Sequence, residues 1–326
     1  MTVEQIYTGC LAQGNYYITS NGEAAIIDPL RETAPYINRL QKDGVTLTYV
    51  FETHFHADFV SGHVDLSKKT GATIVYGPNA SPEFAAPVAK DNEEFKIGDV
   101  TIKVLHTPGH TMESTTYLLK DETGKGYCIF SGDTLFLGDV GRPDLAQKAA
   151  NMTQEELAGL LYESLMTKIM PLADDVIVYP AHGAGSACGK NIMKETVDLL
   201  GNQKRVNYAL NQPDKASFIK AVTDGLLPPP GYFGLNVAMN KKGYESFESV
   251  LSHGMKALTP DEFAAAESTE AMILDARASA DFYKGSIPQS INFGLNGDFA
   301  LWVGSLIVEV KQPLLLVTDE GFEEEA

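Results

Sequence analysis

The segment VFETHFHADFVSGH, residues 50 to 63, crowds side chains that bind metals into one short run. His54, His56 and Asp58 are spaced as His-x-His-x-Asp, so one turn of the chain offers three donors. A metal ion needs neutral imidazoles or deprotonated carboxylates that converge from several directions. The run predicts a metal site, although a pattern of this kind is weak support when it stands alone.

Further donors follow the ends of strand-like runs. His110 lies in LHTPGHT, Asp133 in FSGDTLF and His182 in YPAHGAG, each beside a turn that contains Gly or Asp. Loops at strand ends bring side chains from distant parts of a sequence into one cleft. Four motifs in this order favour a shared metal centre over the alternative, a set of hydrogen-bonded loop histidines with a capping aspartate.

These motifs together resemble the metallo-β-lactamase superfamily, over residues 1 to 250. Hydrolases of that superfamily commonly read His-x-His-x-Asp-His, and the last Asp-His pair helps to hold a second ion. Two ions stabilise the attacking and the leaving oxygen during hydrolysis. Phe59 stands here in place of the last histidine and cannot ligate a metal. The resemblance therefore implies a centre with a single ion.

Within the superfamily, the motifs THFHADFVSGH, TPGHT, SGDTLFLGDVGRPDL and YPAHGAGSACGKN resemble the persulfide dioxygenases, particularly the bacterial type fused to rhodanese domains. The resemblance implies that His54, His110 and Asp133 hold one Fe(II) ion per chain. Two histidines and one carboxylate leave positions open, which suits non-haem iron and dioxygen. It also implies oxidation of a thiol persulfide, such as glutathione persulfide, with O2 to sulfite and thiol in sulfide detoxification, with no catalytic residue beyond the metal centre.

Three further polar residues are expected around that ion. His56, Asp58 and His182 are predicted to hydrogen-bond to the ligands and to water, and so to fix their orientation. For His56 and Asp58 the alternative is a remnant of an ancestral centre with two metals.

Arg142, in GDVGRPDL, resembles an arginine that lies beside the cleft in this family. Its planar guanidinium would hold a carboxylate or phosphate of the substrate. The alternative is a structural ion pair with Asp139 or Asp144.

The cysteines are three in number and widely spaced, which is unlike a disulfide framework and indicates a reducing compartment. Cys10 in TGCLAQG and Cys188 in GSACGKN lie in loops with glycine, where either thiol would accept a sulfane sulfur as a persulfide. Inert packing is the alternative for both. Cys128 in GYCIFSG is expected to be a buried strand residue.

The composition is that of an acidic globular chain. Its 326 residues are 44% hydrophobic and 21% charged, and the formal net charge of −18 argues against nucleic acid or an anionic membrane as a partner. No run approaches the roughly 20 apolar residues of a membrane span, and the first residues lack a secretion signal. These features predict a cytoplasmic protein with small-molecule partners, and they are compatible with a homo-oligomer.

The order of elements predicts an α/β fold, an αββα sandwich of two sheets with helices outside. Helical patterns occur in TAPYINRLQKDG and TQEELAGLLYESLMTKIM, and the turn DETGKG joins two strand-like runs as a hairpin. The run PPPG at 228–231 breaks the periodicity. We therefore predict a catalytic domain at 1–225, a linker at 226–255 and a second α/β domain at 256–326.

The C-terminal segments LTPDEFAAA, MILDARASADFYKGSIPQSINF and PLLLVTDEG resemble a rhodanese domain. An active rhodanese carries a cysteine just after its central strand, in a loop whose backbone N–H groups hold the anionic sulfur. Thr318, Asp319 and Glu320 stand here instead. The resemblance implies an incomplete, truncated domain without transferase activity, which serves docking or shapes the cleft, and a rhodanese partner or missing downstream domain.

Two rival functions stay open at this stage. A thioester hydrolase of the glyoxalase II type shares the scaffold but would need two metals, against which Phe59 argues. A sulfur carrier or sensor module without enzymatic activity would take up sulfur on Cys10 or Cys188 and use the rhodanese-like part for docking.

Overall fold

The structure is a computed structural model that describes residues 1–269, 271–297, 299–307, 309 and 311–326. The chain divides into two compact units. The first comprises residues 1–229 and 233–244, and the second comprises residues 230–232 and 245–326.

Two sheets form the centre of the first unit. The first sheet has the order β1 (Thr2–Thr8), β2 (Gln13–Ser20), β3 (Glu23–Ile27), β4 (Thr46–Glu52) and β5 (Thr73–Tyr76). The second has the order β11 (Asp198–Leu199), β10 (Ile177–Pro180), β9 (Gly126–Gly132), β8 (Thr115–Lys120), β7 (Val100–His106) and β6 (Glu94–Ile97). The predicted hairpin is confirmed, since β8 and β9 pair antiparallel across residues 121–125.

Seven α-helices belong to the described part of the first unit: α1 (Ala34–Asp43), α2 (His63–Thr70), α3 (Gln147–Ala150), α4 (Gln154–Ser164), α5 (Leu200–Val206), α6 (Lys215–Thr223) and α7 (Phe233–Lys242). A π-helical turn, Leu165–Ile169, continues α4, and a 3-10 turn, Gly9–Leu11, joins β1 to β2. Gly44 ends α1 with a φ of 65°, a left-handed conformation that glycine adopts at little cost.

Strand alternation explains the layers, because neighbouring residues of a strand point to opposite faces of a sheet. Ile27 and Phe51 of the first sheet share one buried cluster with Val104 and Phe130 of the second. The outer face of the second sheet packs on Leu161 of α4 and its neighbours. A third cluster joins the outer face of the first sheet to helices α1 and α2. Two sheets with helices outside, as the sequence predicts, are thus confirmed for this unit.

Four connections at strand ends carry the candidate ligands. The strands β7, β9 and β10 run in the same direction, since β8 is antiparallel to both β7 and β9, and β10 is parallel to β9. Their carboxyl ends therefore lie at one edge of the second sheet. The fourth connection is the metal loop, residues 53–62, which joins β4 to α2.

The segment 226–255 differs from a plain linker. Residues 233–244, which include all of α7, cluster with the first unit, where Phe233 and Asn240 are buried. The partners of this helix lie about 180 positions earlier in the chain, in the metal loop.

The second unit contains a parallel sheet of the order β13 (Ile291–Asn292), β12 (Met272–Asp275) and β14 (Leu314–Val317). Its described helices are α8 (Phe247–Gly254), α9 (Pro260–Glu267), α10 (Ser279–Lys284) and α11 (Phe299–Leu306). Helix α9 begins with a capping box, in which Thr259 and Glu262 satisfy each other's backbone N–H groups. This is an α/β unit, and its likeness to a rhodanese domain stays a prediction.

Among the described residues, no helix combines the length and apolar character needed to cross a bilayer.

Candidate metal centre

His54 lies in the metal loop, two residues after β4, and its ring is buried. Its Nδ1 lies 3.0 Å from the hydroxyl of Thr53, which itself donates to Asp28 Oδ2 over 2.8 Å. The hydroxyl proton is therefore used, so Nδ1–H must be the donor to Thr53. The lone pair of His54 is left on Nε2, and burial, followed by the charge of His56, lowers the pKa of His54 well below its usual range.

His110 follows β7 in the turn TPGH. Its Nδ1 donates to the backbone carbonyl of Arg142 over 2.9 Å, which leaves the lone pair on Nε2. The neighbouring Gly141 leaves room for these groups, because a Cβ there would lie 3.0 Å from His110 Nδ1 and 2.0 Å from the carbonyl oxygen of Asp133.

Asp133 directly follows β9 and completes the group. Its Oδ2 is buried without a hydrogen-bond partner and lies 3.3 Å from His110 Nε2 and 3.9 Å from His54 Nε2. Burial alone would raise the pKa of Asp133, but the charges of His182, His110 and His54 lower it far below its usual range. The three donor atoms lie within 4.8 Å of one another, so the residues fit a metal ion.

His182, two residues after β10, connects two carboxylates. Its Nδ1 lies 2.8 Å from Asp133 Oδ1, and its Nε2 lies 2.8 Å from Asp58 Oδ2. Burial works against the charged ring, yet Asp133 and Asp58 together raise the pKa of His182 well above its usual range. Each ring nitrogen thus contacts a carboxylate oxygen, and the contact at Nδ1 holds Asp133 with Oδ2 facing the two histidines.

His56 has a different environment from His54. Its Nε2 lies 3.0 Å from Asp28 Oδ1, at ion-pair distance, but both ring nitrogens are buried without a partner in hydrogen-bond geometry. Burial is the largest single influence and lowers its pKa, but Asp28, Glu52 and Asp58 together outweigh burial and raise the pKa of His56 to about 9. The buried ring of Phe59 packs on the His56 imidazole, with the centroids 4.5 Å apart.

Arg142 is held by this chain's own groups. Its Nε and a terminal nitrogen contact both carboxylate oxygens of Asp144 at 2.7 Å, and the guanidinium also donates to the carbonyls of Ala187 and Leu227. The alternative of an ion pair with Asp144 is thus present in the structure. Asp139 accepts instead from the backbone N–H groups of Val140, Lys190 and Asn191.

The two candidate thiols differ in access. Cys10 is exposed in the 3-10 turn, whereas Cys188 is buried beside Asp58 and His182, with the donor atoms of the three residues within 4.8 Å of one another. Burial, followed by the charges of Asp133 and Asp58, raises the pKa of Cys188 well above its usual range. The Cys188 thiol is therefore protonated and a weak nucleophile. Cys128 is buried in β9, as expected.

A cavity of about 220 Å³ opens beside His110. Its wall is largely apolar, with Phe55, Leu145, Ala149 and Val237. Two charged side chains, Glu113 and Lys241, also line it, and the Lys241 ammonium forms no salt bridge with any residue that the structure describes. The cavity is suited to a small, partly apolar molecule that carries charge.

Sequence reasoning missed Asn240 and Lys241, which lie in the segment taken for a linker. The run GLNVAMNKK mixes apolar and amide side chains before two lysines and has no clear apolar face, so the sequence of α7 gave little indication of packing.

Comparisons with known proteins agree with this fold. A family described as "Metallo-beta-lactamase superfamily" matches residues 9–182. A solved metallo-β-lactamase structure from Staphylococcus aureus subsp. aureus COL is similar with a TM-score of 0.89 and 31% identity, covering 99% of this chain and 93% of that one.

Two curated relatives carry different activities in their names. Hydroxyacylglutathione hydrolase of Tolumonas auensis is 35% identical over 184 residues, which are 55% of this chain. The match spans 65% of that hydrolase, just under two thirds of its length. The mitochondrial persulfide dioxygenase of Homo sapiens is 33% identical over 222 residues, 68% of this chain and 79% of that enzyme.

Proposed function

Because the chain belongs to the metallo-β-lactamase superfamily, we propose that it is a metal-dependent enzyme that oxidises a thiol persulfide with dioxygen. In the overall reaction, a persulfide RSSH, O2 and water give the thiol RSH, sulfite and two protons. The S–S bond breaks, the outer sulfur gains three oxygens and is oxidised, and dioxygen is reduced.

His54, His110 and Asp133 would hold one Fe(II) ion per chain. Support comes from two imidazoles whose other nitrogens are already engaged and from a buried carboxylate oxygen without a partner. When bound, iron supplies the electron exchange with dioxygen that zinc cannot provide. The chain itself aligns the three donors, holds Asp133 through His182 and keeps the site buried.

Phe59 is the observation that carries the preference for a single ion. Its buried ring stands where a nitrogen donor of a second ion would be expected, and it packs on His56. His182 has both nitrogens engaged by carboxylates, so it has no lone pair to offer in this arrangement. A lone redox-active ion suits oxygen chemistry better than hydrolysis between two ions.

The cavity beside His110 is proposed to hold the organic part of the persulfide, with the terminal sulfur towards the metal centre. Lys241 would pair with a carboxylate of the thiol, the role that the sequence assigned to Arg142. Lys241 is better suited to this role than Arg142, because the Arg142 guanidinium already binds both carboxylate oxygens of Asp144.

The test compares one protein in two metal forms. The metal-free chain is loaded with Fe(II) or with Zn(II), and oxygen uptake and sulfite are measured with several thiol persulfides. We expect oxygen uptake and stoichiometric sulfite with iron and none with zinc. Iron-loaded protein that consumes no oxygen with any persulfide would refute the proposal.

A thioester hydrolase is the second candidate, and it is favoured by the cluster of Asp58, His182 and Cys188. Asp58 Oδ1 is buried without a partner, so this cluster offers a place for a second ion if His182 releases a carboxylate. Two ions per chain by elemental analysis, together with cleavage of a glutathione thioester, would favour the hydrolase.

The remaining assignments are also proposals. The second unit is proposed to act as a rhodanese-like docking part, with Thr318 directly after β14 where an active rhodanese has cysteine. Uptake of sulfur by Cys10 or Cys188 belongs to the non-enzymatic alternative. Loss of function in Cys188→Ser, with no loss in His110→Ala, would favour that alternative.

A further inference from the structure

We infer that helix α7 is part of the active site and that Asn240 is a positioning residue for the metal loop. Asn240 is fully buried. Its Nδ2 donates to the carbonyl of His56 over 2.9 Å and to that of Phe59 over 2.8 Å. Its Oδ1 accepts from the backbone N–H of Ser61 over 2.9 Å. One side chain therefore spans six residues of the loop.

Only an amide meets all three bonds. The loop presents two carbonyl acceptors and one N–H donor to the same side chain, and Asn offers two donors and an acceptor on a short stem. An aspartate of the same size would keep the bond from Ser61 but would face two carbonyls with a negative charge. A leucine would leave three buried backbone groups without partners, at a cost of about 1–3 kcal/mol each.

Two neighbours of Asn240 hold the same loop. Asn236, one helical turn earlier, donates to the carbonyl of Ala57 over 3.0 Å. The Tyr244 hydroxyl donates to the carbonyl of Ser61 and accepts from the backbone N–H of Val64. The loop backbone is thus tied to this segment from residue 56 to the start of α2.

The bonds bear on the metal because the same loop carries His54, His56 and Asp58. Asp58 in turn pairs with His182, which holds Asp133. A loop that shifts by a fraction of an ångström therefore disturbs the donors on both sides of the centre. The family match ends at residue 182, so this contribution comes from a part of the chain outside the matched region.

The same helix also faces the cavity. Val237 and Lys241 are each one residue after Asn236 and Asn240, and both line the cavity beside His110. Helix α7 thus contacts the metal loop through Asn236 and Asn240. It lines the proposed substrate cavity with Val237 and Lys241.

The test measures metal retention, which does not depend on the reaction that the centre performs. Full-length protein is loaded with Fe(II) without oxygen and is then challenged with an excess of chelator. The variants are Asn240→Asp, Asn240→Leu and Asn236→Ala, and the matched control is Leu235→Ala, at a position of the same helix that is 40% exposed. Hydrogen exchange of the amides at 56–61 and thermal unfolding of the metal-free chain are measured in parallel.

We expect both Asn240 variants to lose iron about 10–100-fold faster and to exchange the Ser61 amide faster, with a smaller change in Asn236→Ala and none in Leu235→Ala. Iron loss from Asn240→Asp that matches the wild type, in a folded protein, would overturn the inference. Equal acceleration in Leu235→Ala would overturn it too, since the effect would then be general weakening of the helix. If neither Asn240 variant folds, Asn236→Ala decides: faster iron loss supports the inference and an unchanged rate overturns it.

Discussion

Replacement of Thr53 by valine isolates the hydrogen bonds that orient one ligand. The Thr53 hydroxyl accepts from His54 Nδ1 over 3.0 Å and donates to Asp28 Oδ2 over 2.8 Å. Valine has nearly the same shape but no hydroxyl, so Thr53→Val removes both bonds and leaves the packing almost unchanged. The backbone N–H of Thr53 still donates to Asp28 Oδ1 over 2.8 Å, so the loop keeps one anchor.

The size of the effect follows from what is left unpaired. The His54 N–H is buried, and a buried donor without a partner costs about 1–3 kcal/mol. Loss of the partner that orients a metal-binding imidazole typically lowers metal affinity about 10–100-fold, equivalent to about 1.4–2.8 kcal/mol of binding free energy. We therefore expect weaker metal binding and a moderately lower free energy of unfolding.

The assay is a competitive metal titration against a chelator, paired with denaturant unfolding of the metal-free protein. Thr116→Val is the matched control, because Thr116 is equally buried and its hydroxyl bonds to Thr107, at 3.2 Å, and to no ligand. A metal affinity of Thr53→Val that equals that of Thr116→Val would refute the reasoning, and His54 would then be oriented by packing alone.

Three further predictions concern the surroundings of the centre. Arg142→Lys should lower the free energy of unfolding by about 1–3 kcal/mol and leave KM unchanged, because the paired fork on Asp144 is structural; a raised KM with unchanged unfolding would contradict this. Lys241→Met should raise KM about 10-fold for a persulfide that carries a carboxylate, with kcat unchanged. KM for a neutral persulfide should not change, and equal changes for both substrates would argue against an ion pair. In the folded protein, mass spectrometry after brief alkylation should find Cys10 labelled and Cys188 protected, since Cys10 is exposed while burial raises the pKa of Cys188; rapid labelling of Cys188 would disprove its burial.

The parts of the fold that local sequence determines were predictable. The helix at 34–43 ends at the glycine that the sequence marks, and the turn at 121–125 joins the two strands beside it. The side chains of His54, His110 and Asp133 also come together, because the loop after β4 of the first sheet meets the loops after β7 and β9 of the second.

The partners of single side chains were harder to predict. Arg142 had two acidic neighbours in sequence, and the choice between them depends on backbone N–H groups about 50 positions away, which occupy Asp139. Helix α7 escaped notice because its buried face is built around Asn240, and a buried amide contributes nothing to an apolar period. Such contacts depend on tertiary structure and leave no local pattern.

The separation of 179 to 184 positions between Asn240 and its three partners has a consequence for biosynthesis. A growing chain exposes His54, His110, Asp133 and His182 to the cell well before residue 240 leaves the ribosome. During that interval the loop has its ligands but lacks the bonds that arrange it, and contacts that close so late in the sequence form slowly. The three bonds that Asn240 makes to the metal loop can therefore form only after this later part of the chain has emerged.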